Sequence, residues 1–243
     1  MSKTQFIEDT IISEKLNHLN PAFYNFLSQM ADSIADEIRN PLAGIAGTMS
    51  ILKEELKEHI DSEKLKTIDS CITRIDSFIE DLYLLTRPIN PSFIKIHFNS
   101  FVEQVIKQYF SKQECNYHYQ AGDTEIYIWA DLILLQNTIV NVLDNAIDAI
   151  KPGGDIKIYY ELSKLDSRNA ITLVVQDSGK GMEQNVFNKL FTPFFTTKHN
   201  GRGLGLVIAR NYIMLHKGEI TLESKVNSGT QVKITLPKLP GRE

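Results

Sequence analysis

Apolar residues in the first third of the chain step by alternating threes and fours. One run is Ile38, Leu42, Ile45, Met49, Leu52 and Leu56, and the next is Leu65, Ile68, Ile72, Ile75, Ile79 and Leu82. That spacing puts each run on one stripe of a long helix. A polar stretch near residues 59–63 separates them, which predicts an antiparallel hairpin with one apolar seam. Pro41 falls inside the first stripe, where it removes a backbone hydrogen bond. The stripe continues in phase through it, so a kinked helix is expected. A hairpin alone leaves much of its seam wet. Either two hairpins pair into a four-helix bundle, or the seam packs on the C-terminal part of its own chain.

The run Arg87-Pro88-Ile89-Asn90-Pro91 closes the hairpin, because proline disfavours helix in the residue before it. Three segments are expected: 1–28 as an N-terminal signalling helix or linker, 29–90 as the hairpin, and 91–243 as a second domain. In the last, helix is predicted over 101–110, 132–150 and 204–216. Strand is predicted over 125–129, 155–162, 170–176, 219–224 and 231–236. The second and third of these strands make a hairpin around a polar turn at 166–169. Pro152-Gly153-Gly154 stops the middle helix. Strands and helices without strict alternation indicate an α+β fold, with helices layered on one face of a mixed sheet.

Composition narrows the classes. Of 243 residues, 42% are hydrophobic and 23% charged, the balance of a soluble globular protein, and the net charge of −4 gives no general pull toward nucleic acid or anionic membrane. No apolar run approaches the ~18 residues of a membrane span, and MSKTQFIEDT lacks the pattern of a secretory signal. Cys71 and Cys115 are far apart and fit reduced thiols of a cytoplasmic protein.

Chemistry concentrates in the second domain. Asn141, Asn145 and Asp148 punctuate an otherwise oily helix at i, i+4 and i+7, on one face. An amide oxygen suits magnesium, although asparagines on a helix are more often simply solvated. Asp177-Ser178-Gly179-Lys180-Gly181 follows a strand. Its glycines admit close backbone approach to a flat ligand and its carboxylate can accept from an amine; an ordinary Asp-Gly turn fits equally well. Phe191-Thr192-Pro193-Phe194-Phe195-Thr196-Thr197-Lys198 precedes Asn200-Gly201-Arg202-Gly203-Leu204-Gly205-Leu206, which opens a helix. Glycines ahead of a helix start bring free N–H groups onto phosphate, and Lys198 and Arg202 add positive charge. Gly229-Thr230 sits in a tight turn, where glycine is ordinary.

The order and spacing of these elements resemble the N, G1, F and G2 boxes of the Bergerat ATP-binding fold, shared by histidine kinases, gyrase, Hsp90 and MutL. The stretch Leu190 to Lys198 is close to the kinase form. Ahead of them, Glu37-Ile38-Arg39-Asn40-Pro41-Leu42 looks like the kinase H box, nearest to the nitrogen-regulator type. The resemblance runs from about residue 25 to the last strand. It implies a two-component sensor histidine kinase core: a dimeric four-helix bundle followed by an α/β-sandwich ATP-binding domain. It implies Mg²⁺ on Asn145 and adenine read by Asp177, in a site of Asn141, Asn145, Asp148, Asp177, Gly179, Gly181, Phe191, Thr197, Lys198, Arg202, Gly203, Leu204, Gly205, Leu206 and Thr230. The resemblance implies ATP and Mg²⁺ as cofactors. Implied partners are a second copy, a response regulator receiver domain, and an upstream sensor on a longer chain or a separate protein.

One position departs from the pattern. The phosphate-accepting histidine maps onto Asp36, beside Glu37 and one turn before Asn40. A carboxylate is shorter than imidazole and repelled by phosphate, so autophosphorylation is expected to fail. Asp36 is either a replacement in a working kinase, which the intact flanks favour, or the mark of a natural pseudokinase acting as a scaffold or response-regulator phosphatase through Asn40. An ATPase of the gyrase kind needs a glutamate where Asn141 stands, and an amide is no general base.

Overall fold

Helix forms where the three-four spacing places it. The computed structural model describes residues 38, 42–52, 62–86, 89–111, 113, 115–120, 125–198 and 201–239, and the chain divides into two units, Met1–Ile89 and Asn90–Glu243. In the first, residues 42–52 form α1 and Ser62–Thr86 forms α2. Helix α2 thus begins inside the expected polar turn. Leu42, Ile79 and Tyr83 bury one another, with Ile38 and Ile72 packed alongside. Small polar residues are tolerated because their hydroxyls return to the preceding turn: Thr48 donates to the Gly44 carbonyl, Ser50 to Ala46, Thr73 to Asp69 and Ser77 to Thr73. Met49 is buried as well, while Ile45, Ile68 and Ile75 of the same stripes stay open at 47%, 38% and 37% exposed. Pro41 and Leu56 lie outside the described residues, and so does any kink there.

The second unit runs β1 (Ile94–His97), α3 (Phe98–Phe110), β2 (Asn116–Gln120), β3 (Tyr127–Ala130), α4 (Leu132–Ala149), β4 (Asp155–Leu165), β5 (Arg168–Asp177), a short α5 (Gln184–Phe187), α6 (Gly205–Leu215), β6 (Glu219–Lys225) and β7 (Gly229–Pro237). Five strands form one sheet in the order β2-β4-β5-β7-β6, and β1 pairs with β3 in a small antiparallel ribbon where Lys95 faces Trp129. Only β2–β4 is parallel within the large sheet, so the sheet is mixed and the α+β expectation holds.

Period-two alternation separates the two faces of the sheet. Ile156 and Ile158 of β4, Ile171, Leu173 and Val175 of β5, and Val232, Ile234 and Leu236 of β7 point into a core shared with Val102, Ile106, Leu135, Ile139, Leu143, Ala209 and Ile213 of the helices. Each valine, leucine or isoleucine among them contributes about 1.5–3 kcal/mol on burial. The opposite face is more polar, although Ala170 and Val174 are buried on it. There the Thr172 hydroxyl bonds those of Ser163 and Thr235 across three strands, and Lys233 pairs with Glu223 at 2.6 Å.

Local chemistry sets the element ends. Asp131 caps α4, its Oδ1 accepting from the N–H groups of Ile133 and Leu134, while Oδ2 accepts from Ser92. Burial alone would push its carboxyl up, but these backbone donors outweigh it and hold the group below the usual range. The Asp131 N–H donates to Nε2 of buried His216; Nε2 is therefore the bare nitrogen, and Nδ1–H donates to the Tyr212 carbonyl at 2.6 Å. The β4–β5 turn is tighter than the expected 166–169. Asp166 and Ser167, at φ 48° and 67°, form a two-residue hairpin loop of the mirror-image kind that matches strand twist.

Candidate functional site

The second half of α4 carries the polar residues. Asn141, Asn145 and Asp148 lie on its open side, while Val142, Leu143 and Ala146 between them are buried. Lys198 reaches this side from the segment between α5 and α6. Its ammonium donates to Asn145 Oδ1 at 2.6 Å and lies 2.6 Å from Asp148 Oδ2. Two hard oxygens thus converge on one cation, which is the donor chemistry magnesium takes. Among the described residues no cluster of three or more His, Cys, Asp or Glu could hold a metal.

Asp177 ends β5 and is only 5% exposed. Its Oδ1 accepts from the Gly179 N–H at 2.8 Å and the Thr230 N–H at 3.2 Å. Burial raises its carboxyl above the ordinary range, and the N–H groups of Gly179, Thr230 and its own residue oppose the rise without cancelling it. The following turn is pinned to the end of α4. The Lys180 N–H donates to the Ala149 carbonyl at 3.1 Å, and a Cβ on Gly179 would stand 2.4 Å from that oxygen. Asp177 and Asp148 are therefore held at the same end of one helix. Gly181, at φ +62°, presses on the Lys225 carbonyl.

The start of α6 lies against the same helix, for a Cβ on Gly205 would come within 3.0 Å of Asn141 Oδ1. Leu204 at its N-cap is buried and makes no side-chain cap, leaving the first N–H groups of α6 available. Gly203, at φ +69°, is bonded through its carbonyl to the N–H of Phe194, itself at φ 66°. Phe191 packs on the core with the Arg210 guanidinium 5.1 Å above its ring. Leu206 is partly buried in that core, and Thr197 and Arg202 are exposed on the intervening segment. Nearby, the Tyr109 hydroxyl donates to Asp144 Oδ1 at 2.5 Å; burial first, and then this bond, push its phenol up.

The structure thus brings Asn141, Asn145, Asp148, Asp177, Gly179, Lys198, Gly205 and Thr230 along the second half of α4. Asp36, Glu37 and Asn40 lie outside the described residues. Sequence reasoning passed over two residues. Arg210 sits mid-helix with no spacing signal. Gly229 stands where a Cβ would meet the Asp177 carbonyl oxygen at 1.9 Å, so it is not the ordinary turn glycine the sequence indicated; its place directly before the box threonine was the available signal.

Residues 130–240 match the family described as histidine kinase-, DNA gyrase B- and HSP90-like ATPase, and residues 26–91 match the His Kinase A (phospho-acceptor) domain. The chain belongs to the sensor histidine kinase family. Within that family it is 33% identical over 218 residues to the signal transduction histidine-protein kinase AtoS of Escherichia coli K12, covering 88% of this chain and 35% of that protein. It is 30% identical to sporulation kinase D of Bacillus subtilis, covering 87% and 42%. The chain therefore spans between a third and a half of these relatives. The catalytic domain of the histidine kinase ThkA superposes with a TM-score of 0.52 at 29% identity, covering 61% of this chain and 99% of that one. Full-length ShkA shares the fold, at 18% identity and a TM-score of 0.71 over 88% of this chain and 47% of its own. No helix among the described residues is long and apolar enough to cross a membrane.

Proposed function

We propose that this chain is the kinase core of a two-component sensor. It binds Mg-ATP in the second unit and dimerises through its helical hairpin. In its histidine form it passes phosphate to an aspartate of a response regulator receiver domain. One observation carries the reading: Asp177, Asn145, Asp148, Lys198 and the uncapped start of α6 gather along the second half of α4. Asp177, with Oδ1 engaged by backbone, offers Oδ2 to the adenine amine. Lys198 and the first N–H groups of α6 receive phosphate charge. Asn145 would hold magnesium, which would neutralise triphosphate charge. The domain limits 29–90 and 91–243 serve this reading as phosphotransfer hairpin and catalytic domain.

Asp36 gives the chain its particular behaviour. The mechanism needs a neutral nitrogen nucleophile that reaches the terminal phosphate, with Glu37 orienting its other ring nitrogen. A carboxylate at 36 meets neither condition. The chain should bind Mg-ATP by calorimetry yet incorporate no label from radioactive ATP. Asp36→His should restore acid-labile, base-stable phosphate, and Asn145→Ala should remove it again. Absence of nucleotide binding would overturn the site; binding with no rescue by Asp36→His would favour the second reading. In that reading, Asn40 orients water toward a partner's phosphoaspartate, and the native chain is a phosphatase or scaffold without kinase activity.

A further inference from the structure

The ammonium of Lys198 touches the two oxygens best suited to magnesium. Asn145 Oδ1 and Asp148 Oδ2 are each 2.6 Å from the same nitrogen. They sit three residues apart on α4, neighbours on its surface. The lysine is delivered there by a turn: its N–H donates to Thr196 Oγ1 at 3.1 Å, and its carbonyl accepts from Gly201 at 3.2 Å. A magnesium ion bonds oxygen at about 2.0–2.1 Å. An ion serving both oxygens would therefore stand close to where Nζ stands, and two cations cannot share the place. Asn145 alone is neutral; Asp148 supplies the negative charge that makes the pair a seat for either.

We propose that Asn145 and Asp148 form a single cation seat, with Asp148 a second protein ligand of the divalent ion, and that Lys198 and the metal occupy it in turn. Metal entry displaces the lysine and frees its charge for the phosphates of an incoming nucleotide. Without metal, Lys198 satisfies the carboxylate and holds the segment before α6 against α4. By linkage, whatever favours the lysine in the seat disfavours metal by the same factor. The phosphate half of this statement rests on the nucleotide-binding reading; the cation half does not.

The test uses the 243-residue chain with Mn²⁺ alone, bound ion being followed by electron paramagnetic resonance without nucleotide. Lys198→Met should bind Mn²⁺ at least tenfold more tightly than the parent chain, because the internal competitor is gone. Asp148→Asn in the Lys198→Met background should lose at least that tenfold. An unchanged or weaker Mn²⁺ affinity in Lys198→Met overturns the proposal, as does insensitivity of the double variant to position 148, or no detectable binding in any variant. Mg-ATP calorimetry on the same samples separates the readings: Mn²⁺ behaviour as stated without ATP binding would sink the nucleotide site and keep the seat.

Discussion

The carbonyl oxygen of Asp177 lies 1.9 Å from the point where a Cβ on Gly229 would stand, and Gly229 holds φ +89°. The residue proposed to read the base and the first residue of the last strand are thus in direct backbone contact. Only hydrogen fits between them.

Gly229→Ala should therefore cost more than backbone strain. A positive φ in a non-glycine residue costs about 1–3 kcal/mol, and here the ladder must also move. Gly153→Ala is the control, since Gly153 has φ +83° with nothing within 4 Å of its added Cβ. In urea unfolding, Gly153→Ala should lose about 1 kcal/mol and Gly229→Ala at least about 2 kcal/mol more. Equal losses would show that the clash is absorbed. Thr230 would shift with its neighbour, so Mg-ATP affinity should fall in Gly229→Ala alone.

Asp177→Asn separates stability from binding. The Asp177 carboxyl is raised by burial, so folding favours its neutral form. Its contribution to stability is fully present below the ordinary aspartate pKa of ~3.9 and is lost as pH rises through the raised value. An amide keeps the Oδ1 acceptor for Gly179 and Thr230 but carries no charge. Melting measured across pH should show Asp177→Asn gaining on the parent as pH rises, with the difference closing in acid. Mg-ATP affinity should drop tenfold or more, because an NH₂ group would face the adenine amine. A variant that melts lower at neutral pH would contradict the assignment.

Exposed isoleucines bear on assembly. Ile45, Ile68 and Ile75 continue the stripes of buried Leu42 and Ile79 yet stand open in a single chain. Light scattering at micromolar concentration should give a dimer for the parent chain and a monomer for Ile75→Glu. A monomeric parent, or a variant that still dimerises, would remove the hairpin as the pairing surface.

Much of this was legible in the sequence, and the exceptions have physical causes. The helix α4 and the β4–β5 hairpin announce themselves through long periodic runs. Strand β1, four residues long, is too short to show alternation, and β2 is an edge strand whose NYHYQ exposes most of its side chains. Helix α3 begins at Phe98, earlier than expected, because its cap is His97, whose ring accepts from the Ser100 N–H in place of the usual serine or aspartate. In the site, glycines ahead of α6 and the aspartate that ends β5 were readable from local chemistry. The Lys198–Asp148 pair was not, since fifty residues separate its members and no periodicity links a loop lysine to a helix face.

The β1–β3 ribbon has a practical optical consequence. Trp129 is the only tryptophan of the chain, lies on β3 and is 55% exposed. Indole emission therefore comes entirely from the second unit, and the hairpin helices contribute none of it. Far-ultraviolet circular dichroism, by contrast, sums the helices of both. Melts followed by the two signals will coincide only if both units unfold together, so a single untagged sample can report whether the halves of this kinase core are thermodynamically independent.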